Sequence, residues 1–107
     1  VGLSEAQARE RHGGSDVIVG RAPFGELARG LIAGAEDGLL KLVADPRGRR
    51  LLGVQIIGEG ASELIHVGQM ALLGDMEVDA FIENIFNFPT LAEGYRVAAL
   101  DIAKRRP

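Results

Sequence analysis

The chain has 107 residues, 47% of them apolar and 25% charged, with a formal net charge of −3 and no cysteine. That length fits one domain able to bury roughly 65% of its unfolded surface without covalent staples, and the ordinary composition argues against disorder. The acidic balance disfavours nucleic-acid and anionic-membrane surfaces, and the missing thiols exclude disulfides, thiolate nucleophiles and Cys-ligated zinc.

Val1-Gly2-Leu3 reads as the end of a strand whose beginning lies upstream, and a start at valine is the expectation for a cut inside a longer protein. Ser4 and Gln7 form a capping box that opens a short helix through about Arg11, closed by Gly13-Gly14. Val17-Ile18-Val19 marks a strand within 16–24, with Pro23 at its exit. The stretch 25–34 is ambiguous: Leu27, Leu31 and Ile32 have helical spacing, while Gly30 and Gly34 weaken any helix. Two apolar runs, 38–45 and 49–58, flank Pro46-Arg47-Gly48 and predict a hairpin, its second arm dry on both faces. No apolar run approaches the ~20 residues needed to span a bilayer.

Gly58-Glu59-Gly60 turns into a predicted helix over 61–73, stopped by Gly74-Asp75. A short helix follows near 78–85, then an aromatic turn, Phe86-Asn87-Phe88-Pro89, and a last helix from Leu91 to about Arg105. Thr90 and Glu93 have the T-x-x-E spacing of a capping box, with Thr90 as N-cap. Pro89 holds Phe88 extended. Phe86 and Phe88 both read as exposed, a surplus of aromatic surface that local packing leaves without a partner. Lys104, Arg105 and Arg106 suit the negative end of the last helix. Helix, strands, then helices in segregated runs predict an α+β fold, an antiparallel sheet covered by helices.

Four constellations bear on chemistry. Gly58-Glu59-Gly60-Ala61-Ser62-Glu63 imitates a dinucleotide loop, but Glu63 replaces its third glycine and would repel a pyrophosphate. A glycine-permitted tight turn is the better reading. Glu63 and His66 show the E-x-x-H spacing of di-metal bundles once, where such sites need it twice. With only His12 and His66 in the chain, zinc also lacks ligands, so His66 reads as a surface or interface residue with an intrahelical partner. Arg47, Arg49 and Arg50 flank the hairpin turn as solvated charges. No serine, lysine or carboxylate pair points to nucleophilic or acid–base catalysis, so the isolated chain reads as non-catalytic.

The segments Val1–Ala8, Gly38–Val43, Leu52–Gly58 with Glu63-Leu64-Ile65, and Pro89–Glu93 together resemble the C-terminal dimerisation domain of the FAD-dependent pyridine nucleotide–disulfide oxidoreductases. The resemblance runs in order through nearly the whole chain, 1–107, as one domain of a longer flavoenzyme. Disulfide-reducing members carry H-P-T-x-x-E, in which the histidine is the acid–base and the glutamate orients it. Here Phe88 stands at the histidine position and Glu93 at the glutamate. An aromatic at that position, and the runs Phe86–Leu100 and Glu63–Gln69, are similar to the soluble, Si-specific pyridine nucleotide transhydrogenase branch.

That resemblance implies a cytoplasmic parent enzyme that passes hydride between NADPH and NAD⁺ through FAD, with the FAD and NAD(P) domains upstream and no cofactor or metal held by this fragment. It also implies a homodimer formed through this domain, with Phe88 and Pro89 bordering the partner subunit's FAD. An obligate interface of ~2,000 Å² would draw on the apolar flanks of the helices at 61–73 and 91–103. The alternative implied is a dihydrolipoamide dehydrogenase-like or other disulfide oxidoreductase relative, in which this domain is only an interaction module.

Overall fold

A computed structural model describes residues 1–14 and 16–107. The Ser4 box forms as expected: the Gln7 N–H donates to Ser4 Oγ (3.2 Å) and the Ser4 N–H to Gln7 Oε1 (3.0 Å), opening α1, Glu5–Arg11. Three antiparallel strands follow, β1 (Ile18–Pro23), β2 (Leu39–Ala44) and β3 (Leu51–Ile57), in the order β1-β2-β3. The register places Val19 opposite Val43 and Leu42 opposite Val54, with an irregularity at Val43/Ala44. Residues 1–3 lie antiparallel along β3: the Leu3 N–H donates to Leu52 O and the Val54 N–H to Val1 O, both at 2.9 Å. The strand-like reading of this segment therefore holds.

Between β1 and β2 the ambiguous stretch resolves into a single 3-10 turn, Phe24–Glu26, and a short helix α2, Ala28–Ala33. Phe24 and Leu27 fold under it into the core while Leu31 and Ile32 stay exposed, so its helical spacing is only half used. After β3 come α3 (Ala61–Leu73), α4 (Asp79–Glu83) and α5 (Glu93–Lys104). Gly58 and Gly60 adopt φ of +122° and +75°, which identifies their segment as a glycine-dependent turn.

Strand alternation divides the sheet into two faces. Ile18, Ala22, Leu40, Leu42 and Val54 point to α3 and α5 and build the main core with Tyr95, Ala98, Ala99 and Ile102. Val19 and Val43 point the other way, onto Ala8 of α1, with Val17, Leu3 and Leu52 beside them. Glu5 anchors α1 over that face, bonded to Arg9 (2.8 Å) and Lys41 (3.1 Å), and the Arg9 bond, then the Lys41 bond, hold its carboxyl below the usual carboxylate range. The prediction of a dry β3 holds at Leu51, Gly53 and Val54 but fails at Ile57, which is exposed where the sheet ends.

The last helix differs from expectation in what it covers. Its small apolar flank, read as interface surface, lies on β1 and β2 instead, with Tyr95, Ala98, Ala99 and Ile102 fully buried inside the subunit. Gly20 makes this possible, because a Cβ there would sit 2.1 Å from Ala98 O. At the free edge of β1, the Arg21 N–H donates to Asp101 Oδ2 (3.0 Å), so α5 also caps an edge that would otherwise offer itself for pairing.

Candidate functional site

The aromatic turn is held between two short anchors. On one side α4 ends at Asn84, whose side-chain amide donates to Ala80 O. On the other, α5 begins. Its first turn is tight, with Gly94 N–H donating to Leu91 O and Tyr95 N–H to Ala92 O, each at 3.0 Å. The predicted capping box is half present. Glu93 Oε2 accepts from the Thr90 N–H (3.2 Å), but Thr90 Oγ donates to Asn87 O (2.8 Å) and caps nothing. The N-cap is Ala92 rather than Thr90, because the 90–92 turn delays the helix and the hydroxyl is already committed to closing the aromatic loop.

The two aromatics part company. Phe88 is 75% exposed, as predicted, and its peptide bond to Pro89 is cis. Phe86, expected to be exposed with it, is half-buried and packs on the main core. Neighbouring residues of an extended segment face opposite ways, so turning Phe86 inward turns Ile85 outward, fully exposed. The loop therefore presents Ile85 and Phe88, with Pro89 half-buried behind them. Glu93 lies half-buried below, engaged with the Thr90 N–H, and no titratable side chain occupies position 88.

Tyr95 is the residue that sequence reasoning missed. Its ring is fully buried and stacks on Phe81 of α4, with centroids 5.1 Å apart. Its hydroxyl donates to Leu64 O and accepts from the Gly68 N–H (3.0 Å), meeting two α3 groups one helical turn apart. Gly68 is required for that approach, since a Cβ there would lie 2.6 Å from Val54 Cγ2 and 3.1 Å from the Tyr95 oxygen. The available signal was the lone tyrosine of the chain on the apolar flank of the last helix. Burial raises the Tyr95 phenol to about 12, partly opposed by the Gly68 N–H. A phenol raised in the fold stabilises fully below the unfolded value near 10, and that contribution is lost as pH rises towards 12. Melting temperature is thus expected to fall above pH 10, and to fall less steeply in Tyr95→Phe, as circular dichroism melts at pH 8 to 11.5 would read.

Turned away from the core, α3 carries a stripe of Val67, Met70 and Leu73, of which Met70 and Leu73 are 64% and 71% exposed. His66 stands beside it, its Nδ1 3.1 Å from Gln69 Oε1, the intrahelical partner expected, though it is Gln69 rather than Glu63. Among the described residues no three His, Asp or Glu side chains gather as a ligand set, and no helix is long and apolar enough to cross a membrane. The arginines of the hairpin turn are largely solvated as predicted. Arg49 reaches Asp79 of α4 at 2.9 Å, while Arg106 bonds Gly48 O (2.9 and 3.0 Å) and Asp79. The Arg106 bond, before the Arg49 one, holds the Asp79 carboxyl below its ordinary value.

Against known proteins, the pyridine nucleotide-disulphide oxidoreductase dimerisation domain matches residues 1–99. Soluble pyridine nucleotide transhydrogenases of Photobacterium profundum and Hamiltonella defensa are 48% and 46% identical over 86 residues, covering 78% of this chain and 18% of theirs. The Mycobacterium bovis protein of that name is 42% identical over 87 residues, covering 81% and 19%. In structure, the chain superimposes on the HOCl-induced flavoprotein disulfide reductase RclA of Escherichia coli with a TM-score of 0.83 and 26% identity, covering 94% of this chain and 22% of that one. The chain thus spans about a fifth of the length of the proteins it matches.

Proposed function

Since the chain belongs to the dimerisation-domain family of the pyridine nucleotide-disulphide oxidoreductases, we propose that residues 1–107 are the pairing domain of a cytoplasmic, homodimeric flavoenzyme that transfers hydride between NADPH and NAD⁺. The names of the relatives support this reading, and so does the one observation that carries it. At the apex of the Pro-Thr loop stands Phe88, exposed and apolar, where a dithiol-handling relative needs a histidine. A phenyl ring cannot take up or release a proton, so the loop suits a reaction without dithiol chemistry.

The upstream domains of the parent hold FAD and the nicotinamide nucleotides, and this chain contributes at the border of the partner's cofactor. Bound FAD provides a two-electron store between one nicotinamide and the next. The residues here fit the edge of such a site: Phe88 and Ile85 are uncovered within the subunit and Pro89 stiffens the turn. Across the two-fold axis, Phe88 and Pro89 form an apolar wall that limits water access at the partner's cofactor. Glu93 keeps the Thr90 N–H satisfied and thereby shapes the loop. The α3 stripe of Val67, Met70 and Leu73 is the pairing face, and the α5 flank, already buried, is not.

In the full-length protein, NADPH oxidation by an NAD⁺ analogue should proceed without added dithiol. Phe88→His should alter the flavin absorbance or emission and slow hydride transfer about tenfold, within the range that small misplacements cost. An unchanged flavin spectrum and rate would remove Phe88 from the cofactor. The likeness to a flavoprotein disulfide reductase structure supports a second reading, a disulfide oxidoreductase relative in which the domain serves only for pairing. A strict dithiol requirement, or an upstream C-x4-C pair, would select it.

A further inference from the structure

Phe86 and Leu91 pack the Phe88 loop on the main core, but few hydrogen bonds hold it to α3. Bonds around the loop are local: Thr90 to Asn87 and to Glu93, Asn84 to Ala80, and Arg96 to Ile82. Among the described residues, every hydrogen bond from 80–100 to α3 runs through one group, the Tyr95 hydroxyl. The same side chain touches α4 through Phe81. Tyr95 therefore meets the helix before the loop, belongs to the helix after it, and bonds the helix that carries Val67 and Met70 on its far side.

We infer that Tyr95 is a positioning residue that locks the Phe88–Pro89 loop to α3. Its hydroxyl fixes the first turn of α5 against Leu64 and Gly68, and its ring fixes α4, so both ends of the loop are tied to one point. Gly68 completes the device by letting the phenol reach the helix backbone. The inference rests on the proposed cofactor-facing role of Phe88 only for its consequence, which is that a shift of α3 is felt at residue 88.

The chemistry of the bond makes the lock separable from the fold. Leu64 C=O and Gly68 N–H stand four residues apart in the unbroken helix α3, so each has the other as its helical backbone partner when the hydroxyl is gone. Helix α3 therefore keeps its backbone satisfied, and the loss is felt on the α5 side. Backbone amide exchange by mass spectrometry on the full-length protein tests this in Tyr95→Phe. The backbone amides at positions 90, 94 and 95 should exchange about tenfold faster, while β2 amides change less than twofold. Phe81→Leu keeps the hydroxyl and trims the ring contact, and should show the same localised rise at smaller size. It also carries the test if Tyr95→Phe fails to fold. A rise by one common factor across loop and sheet, or none at the loop, in either folded variant would overturn the lock. Because exchange reads the loop and not the flavin, the result is independent of whether Phe88 meets the cofactor.

Discussion

Gly20→Ala is expected to destabilise the domain by about 3 kcal/mol, the upper end for overpacking a close-packed site. The added methyl would lie 2.1 Å from Ala98 O and 2.7 Å from Ile102 Cγ1. A flexible side chain could rotate away, but Ala98 O belongs to the backbone of α5 and moves only with the helix. The helix must therefore lift off β1, loosening Ala99 and Ile102 and pulling Asp101 from the Arg21 N–H. At roughly 4–8 °C per kcal/mol for a domain near this size, melting should fall by more than about 10 °C. Gly25→Ala is the matched control. Its Cβ would meet nothing closer than 3.7 Å, and it should cost under about 1 kcal/mol. Equal melting of the two variants would contradict the close approach of α5 to β1.

Met70→Glu addresses the pairing face rather than the fold. Met70 points away from the core and is 64% exposed, and glutamate is about as good a helix former, so the subunit should fold unchanged. In a dimer built on the Val67–Met70–Leu73 stripe, the carboxylate would be buried without a partner. Such an uncompensated charge costs about 3–5 kcal/mol, which weakens association roughly 140- to 4,000-fold. Sedimentation across nanomolar to micromolar protein should show a dimeric parent and a dissociating variant. A dimer of unchanged affinity would move the interface elsewhere, with Leu31 and Ile32 on α2 the next exposed apolar pair.

Both predictions depend on which face of a helix turns inward, and sequence pattern resolved that unevenly. For α3, apolar residues cover more than one flank, and the pattern alone did not say that Gly68 and Ala71 face the sheet while Val67 and Met70 face out. For α5, the small residues fit a helix–helix seam as well as a helix–sheet one. Only Gly20 on β1 makes the second seam close enough to fill, and Gly20 lies at the other end of the chain. Phe86 turned inward for the same kind of reason, since its alternation depends on where the core lies.

The candidate site divides along the same line. Phe88, Pro89 and Glu93 were legible as positions in a motif, and Phe88 is exposed as its place in the aromatic turn predicts. Thr90 was misassigned because capping propensity is local, whereas its hydroxyl went to Asn87 O once the loop closed. The role of Tyr95 was not legible, because a lone tyrosine on an apolar helix flank does not announce contacts 27 and 31 residues upstream.

What the sequence determined by itself was whatever a few adjacent residues can enforce: the Ser4–Gln7 cap, the hairpin around Pro46-Arg47-Gly48, the glycine turn into α3, and a non-titrating ring at position 88. These features are decided by φ preferences, short side-chain reach and strand alternation, all of which act within a turn or two of the chain. The tertiary structure alone decided that α5 spends its apolar flank inside the subunit, that the α3 stripe remains outside, and that one buried phenol ties the Phe88 loop to that helix. Those outcomes depend on backbones approaching to within a methyl group of each other, at Gly20 and Gly68, and close approach is a property of the packed whole.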